Sequence, residues 1–451
     1  MLTLNEWSRR LTSREVSARA LIDQSLARIQ DPEGEGARAF ISVSSESARA
    51  QADEVDRKRA AGQALPKFAG IPLGIKDLFD VAGEVTRAGS VVLANCTPAA
   101  HDAPVIARLR AAGFIFIGRN NMTEFAYSGL GLNPHYGTPL SPFDRSTRRI
   151  AGGSTSGGGV AVADGMAAAS LGTDTGGSCR IPAAFNGIVG FKPTASRVPR
   201  EGVYPLSQSL DSVGPLAPST ACCATLDATL RGVESQPLAD TPLNRVRLLL
   251  PTTIVLDEMD ETVASAFERA LETLSRGGVA IVRRPLDELQ RIPQINAGGG
   301  LAAAEAYAWH RTQLEQHGDQ YDPRVAMRIL KGRDLNAAEL RAARAAVIES
   351  VDRATREFTA LVMPTVPIIP PPLAAFEKDA DYIRLNSLVL RNPSLANFLD
   401  RCSISLPIHQ PGAAPVGLML IGNHDDDERL LEVAAAIERV IGPAAPSDPR
   451  C

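Results

Sequence analysis

Residues 150–194 read IAGGSTSGGGVAVADGMAAASLGTDTGGSCRIPAAFNGIVGFKPT, and the reading of the whole chain turns on this stretch. Two Gly-Gly-Ser triplets, Gly152-Gly153-Ser154 and Gly176-Gly177-Ser178, bracket a small-residue, mostly apolar segment. Glycines directly before a hydroxyl residue let the backbone turn sharply and come close to a bound group. The intervening run carries Val160, Val162, Met166 and Leu171 and few charges, unlike a Gly/Ser linker. That content predicts a buried helix with one serine presented on a tight loop at each end.

Working outward, 451 residues could make two or three average domains or one large α/β enzyme. An apolar fraction of 44% supports a substantial core and argues against general disorder. A net charge of −4 gives no reason to expect nucleic acid as the main partner. The six cysteines are sparse and form no CxxC string, and no HExxH occurs, so reduced thiols and no bound metal are expected. Cys179 reads as a small buried hydrophobe rather than a nucleophile. The first thirty residues lack an apolar signal core, and the apolar stretch Phe358–Phe376 is interrupted by Pro364, Pro367 and Pro370 to Pro372. A cytoplasmic protein with no membrane segment is the expectation.

Hydrophobic period then places the elements. Val16, Leu21, Ile22, Leu26 and Ile29 suggest one amphipathic helix over 1–30, and an Ala- and charge-rich outer helix follows over 44–61. Helix 102–112, Gly113 and strand 114–118 begin an α/β alternation that recurs as strand 245–251, helix, strand 279–285. Strands 361–367, 402–408 and 416–422 come before a closing helix opened by three aspartates. Residues 290–357 read as charged and helical, with Gly298 to Gly300 a hinge or helix breaker.

The glycine-rich centre matches neither a phosphate loop, which needs GxxxxGK[ST], nor a GxGxxG dinucleotide turn, nor the GxSxG elbow. No histidine lies in a telling local motif. What remains is two serines and Lys76, set in the strand-like run GIPLGIKDLFD. Lys76 has two readings: a surface lysine on an edge strand, or a buried one whose pKa falls from about 10.4 and which can act as a base. A serine needs such a base to attack, and a neutral lysine can supply it. Thr175, Gly176 and Gly177 could point backbone N–H groups at a developing oxyanion, worth about 3 kcal/mol per donor.

The stretch 150–194 together with GIPLGIKD around Lys76 resembles the amidase signature family. GRNNMTEFAYSG, SLDSVGPLAPS and PVGLMLIGNHDDDERLLEVAAAIE resemble further segments of that family in its order. The resemblance implies a single domain over 1–451, with core motifs in 68–235 and 360–442 and a variable helical region near 290–357. It implies an α/β fold in which a large central mixed β-sheet is covered by helices on both sides. It also implies a Ser–cis-Ser–Lys triad: Ser178 as acylating nucleophile, Ser154 after a cis peptide bond as proton relay, Lys76 as base. One departure is that Thr155-Ser156 stands where the family usually has Ser-Gly. Ser154 precedes Ser178 by 24 positions, the family's usual interval, and Ser156 by only 22, so Ser154 takes the relay role.

The expected reaction is hydrolysis of a small carboxamide or urea-derived amide, releasing ammonia or an amine, with no cofactor and no metal. The alternative is the amidase subunit of a glutamine-dependent tRNA amidotransferase. Expected partners are a small-molecule amide and a second copy in a homodimer, with no direct nucleic-acid contact and no membrane. Asp174 reads as a loop-orienting side chain. Arg180 is a candidate fork for a substrate carboxylate, or else half of a structural ion pair. Met122, Thr123 and Tyr127 are candidate pocket walls or plain core.

Overall fold

The computed structural model describes residues 1–442. Residues 443–451 of the expected single domain, with Cys451, lie outside the described residues.

Among the described residues eleven strands form one mixed sheet: β1 Phe40–Val43, β2 Pro72–Lys76, β3 Ile115–Asn120, β4 Ala169–Asp174, β5 Val189–Lys192, β6 Ser212–Ala217, β7 Arg247–Pro251, β8 Ala280–Arg284, β9 Ala360–Pro364, β10 Ser403–Pro407 and β11 Gly417–Ile421. Their order across the sheet is β1-β3-β2-β4-β6-β5-β10-β11-β9-β7-β8. Every residue of β2 to β6 and of β9 to β11 is buried, which requires helices on both faces. Partial exposure is confined to β7 and to the edge strands β1 and β8, where Arg283 and Arg284 help keep the edge from pairing further. The 245–285 alternation folds as expected: β7 and β8 pair in parallel across the helix Glu261–Arg276.

Two expectations change. The first thirty residues form two helices, Leu4–Thr12 and Ala18–Gln30. Arg14 turns left-handed at φ 59°, and the Ser17 hydroxyl accepts from the Ala20 N–H to start the second helix. More consequentially, the segment between the two Gly-Gly-Ser triplets is not one helix. It is a short helix, Ser156–Ala163, a turn through Gly165 at φ 65°, and then strand β4. A short apolar run has no period that separates buried strand from buried helix, and the ladder to β2 on one side and β6 on the other decides it.

This order has a functional consequence. β2 pairs in parallel with both β3 and β4, so the C-terminal ends of β2 and β4 lie on the same sheet edge. Lys76 closes β2 and Asp174 closes β4. Ligands of open α/β sheets bind outside the carboxyl ends of such strands.

Candidate active site

Lys76 is the last residue of a central strand and is fully buried, so the edge-strand reading falls. Its Nζ lies 2.8 Å from Ser154 Oγ, 2.9 Å from Thr173 Oγ1 and 3.4 Å from the Thr173 carbonyl. Burial disfavours the ammonium and pulls its pKa down to about 8, against the attraction of the nearby Asp174 and Asp211.

Ser154 follows a cis peptide bond from Gly153 and is also fully buried. Ser156, its rival in register, opens the following helix, and its hydroxyl is buried without a partner. The register therefore rests on geometry as well as interval: Lys76 bonds Ser154. The two serine loops are stitched together where the Thr155 N–H donates to the Ser178 carbonyl at 3.3 Å. Ser178, unlike Ser154 and Lys76, lines a cavity of about 300 Å³.

Asp174 fixes the loop that carries Ser178. Its carboxylate accepts from the Gly177 N–H at 2.8 Å, the Cys179 N–H at 3.0 Å and Asn397 Nδ2 at 2.9 Å. Burial alone would raise this carboxyl, but Arg180 beside it, helped by Lys192 and Asn397, holds it well below the usual carboxylate range. It is a permanent anion in an orienting role, as the sequence suggested. Because the Gly177 N–H is taken by Asp174, the expected donor set narrows. Thr175 and Gly176 line the cavity with Ser178, and none of these three N–H groups has an acceptor among the described residues.

Arg180 does not reach the cavity. It is fully buried, donates to Asp174 through Nε and Nη2 at 3.0 and 2.8 Å, and also reaches the Pro393 carbonyl and Asn397 Oδ1 at 2.8 and 2.7 Å. No donor is left for a substrate carboxylate, so the structural ion pair is the correct reading. Met122 is likewise core: fully buried, packed against Gly89 and absent from the cavity wall. Thr123 is buried with its hydroxyl on the Ser128 carbonyl. Tyr127 does line the cavity, with its phenol pushed up to about 12 by burial. Cys179 is buried with its thiol toward the Gly214 carbonyl, as a small apolar residue would sit.

Sequence reasoning missed three contributors. Thr173 supplies two of the three oxygens around Lys76 Nζ, and the only signal was its place ahead of Asp174. Asp211, inside the SLDSVGPLAPS segment, accepts from the Thr175 hydroxyl at 2.5 Å and from the Leu206 and Ser207 N–H groups. The far cavity wall comes from Asn296, Arg328, Lys331, Asn386 and Leu390, remote in sequence from any motif.

With this mixed α/β fold and these residues in place, the comparisons with known proteins make the chain a hydrolase of C–N bonds other than peptide bonds. The chain belongs to the Amidase family, whose model matches residues 20–431. It is 35% identical to a 2-amino-5-chloromuconic acid deaminase from Comamonas testosteroni, over 98% of this chain and 96% of that one. It is 32% identical to the A subunit of a glutamyl-tRNA(Gln) amidotransferase from Roseiflexus sp. (strain RS-1), over 97% and 96%. A solved amidase structure superimposes with a TM-score of 0.88 at 32% identity, covering 98% of this chain and 100% of the other. No helix among the described residues is long and apolar enough to cross a membrane.

Proposed function

We propose that the chain hydrolyses a small carboxamide through an acyl-enzyme on Ser178, with Lys76 as base and Ser154 as relay. The observations that carry this reading are the buried Lys76–Ser154 hydrogen bond and the Thr155 N–H bond to the Ser178 carbonyl, which ties the Ser154 loop to the cavity-lining serine. A neutral Lys76 amine accepts the Ser154 hydroxyl proton while donating to the Thr173 oxygens. Ser154 in turn takes the Ser178 proton as Ser178 Oγ attacks the amide carbon. The oxyanion that forms meets the N–H groups of Thr175, Gly176 and Ser178. Lys76, now an ammonium, returns its proton through Ser154 to the leaving nitrogen, and ammonia or an amine departs. Water, deprotonated along the same route, then cleaves the Ser178 ester and releases the acid. A cavity of about 300 Å³ suits a small molecule.

The test is ammonia release from a panel of amides by the wild type, Ser178→Ala and Lys76→Ala. Loss of turnover in both variants is expected, together with a covalent acyl adduct on Ser178 seen by intact mass during turnover. Near-full activity of either variant would overturn the triad.

Similarity to the amidotransferase relative favours a second reading, in which ammonia from glutamine is passed to a partner enzyme. It predicts glutamine hydrolysis that rises when a partner protein is added. The expected homodimer is tested in the same preparation by light scattering.

A further inference from the structure

The cavity that Ser178 lines is electrostatically one-sided. Arg328 and Lys331, at the end of the helix Pro323–Leu330 and just beyond it, both face it, and among the described residues no acidic side chain contributes to its wall. Neither cation forms an ion pair among the described residues. The Arg328 guanidinium carbon sits 4.7 Å from the centre of the Tyr127 ring, and its Nε is buried with no hydrogen-bond partner.

A third donor on the same wall is also unused. Asn386 is fully buried, and its carbonyl accepts from Ser128 Oγ at 2.9 Å and the Gly129 N–H at 3.0 Å. Those two bonds fix the amide's orientation and leave Nδ2 as a buried donor with no acceptor. Buried N–H groups without acceptors are rare in folded proteins, because each has lost water and gained nothing in return. An unpaired arginine, an unpaired lysine and an orphaned amide N–H in one small cavity call for one kind of group, a carboxylate, which can accept from all three.

We propose that the substrate is an amide that also carries a carboxylate and no compensating ammonium. Its carboxylate is held by Arg328, Asn386 Nδ2 and Lys331 while its carboxamide faces Ser178. The lack of an acidic residue in the wall excludes an amino acid amide such as glutamine as the preferred substrate, since an α-ammonium would meet two cations and no anion. Arg328 is the principal anchor because it is half-buried on the Tyr127 ring and its terminal nitrogens make no hydrogen bond among the described residues. Lys331 is exposed to solvent and acts more weakly.

This inference rests on the amidase reading, and the experiment separates the two. Ammonia release is followed for the series malonamate to adipamate, for the neutral amides of matched length, and for L-glutamine. At least one carboxylate amide is expected to exceed its neutral counterpart in kcat/KM by 100-fold or more, with L-glutamine well below glutaramate. Arg328→Gln should then lower kcat/KM for that acid at least 10-fold, mostly through KM, and lower it for the neutral amides by a clearly smaller factor. Arg328→Lys should restore part of the loss. A binding readout accompanies it: the favoured acid raises the Tm of Ser178→Ala and fails to do so when Arg328→Gln is added. Neutral amides turned over as well as the acids, or an unchanged KM in Arg328→Gln, would overturn the inference and leave the amidase reading standing. Failure to release ammonia from any member of the panel would overturn both.

Discussion

Lys76 Nζ stands 2.8 Å from Ser154 Oγ, and neither residue reaches solvent. A lysine in that position works as a base only when neutral. With its pKa drawn down to about 8 by burial, kcat/KM should rise with pH between about 6 and 9 and level off above it. The measurement is a pH profile with a neutral amide, so that the substrate itself does not titrate. A flat profile over that range would remove Lys76 as the base.

Ser154 and Ser156 differ in what their hydroxyls touch, and this separates them experimentally. Ser154→Ala should lower kcat by roughly 10² to 10⁴, the usual range for a lost proton-transfer group. The Ser156 hydroxyl is buried without a partner, so Ser156→Ala should keep activity within about threefold and not lower stability. The reverse order of effects would return the relay role to Ser156.

Arg180→Gln is expected to act on stability rather than on substrate binding. It leaves Asp174 buried without its cation, a change that typically costs about 3–5 kcal/mol in denaturant unfolding. KM for a carboxylate-bearing amide should change far less than it does on Arg328→Gln. A KM effect as large as that of Arg328→Gln, with stability unchanged, would show that Arg180 binds substrate after all.

Asp211 predicts a pH dependence of opposite origin. Burial raises its carboxyl to about 6, against the pull of the Thr175 hydroxyl and the Leu206 and Ser207 N–H groups. The folded state therefore holds this proton up to about pH 6, while the unfolded chain releases it near the ordinary value of 3.8. Its contribution to stability is fully present below the unfolded value and is lost as pH rises through about 6, on the order of 3 kcal/mol in all. Asp211→Asn cannot ionise, so the stability gap between wild type and variant should shift in the variant's favour between about pH 4 and 7. A constant gap across that range would show that Asp211 does not titrate there.

Much of the outer framework was legible because its elements are long or strongly periodic. The βαβ unit β7–β8, the strand Ala360–Pro364, the hairpin strands Ser403–Pro407 and Gly417–Ile421 and the helix Asp427–Ile441 fall within a few residues of expectation. Local sequence was weakest where burial is complete. Between Ser154 and Ser178 nearly every position is small or apolar, Asp164 and Asp174 aside, so no alternation marks the change from helix to β4. The same density hid Arg180: a guanidinium two residues after a cavity-lining serine looks available until Asp174, Asn397 and the Pro393 carbonyl are seen around it.

The sequence by itself determined the family and the mixed α/β class, and it singled out Lys76, Ser154 and Ser178 as the candidate triad. Close backbone approach needs the glycines beside the two serines, and those leave a local signature. Only the tertiary structure decided which donors stay free. Parallel pairing of β2 with β4 brings Lys76 beside Thr173, and Asp174 takes the Gly177 N–H. Arg328, Lys331 and Asn386, more than 140 residues from Ser178, join its cavity through packing alone. The candidate relay serines are marked by short glycine motifs because their loops need close backbone approach. The charge of the cavity leaves no such mark, because cationic side chains from any element that borders it can supply it.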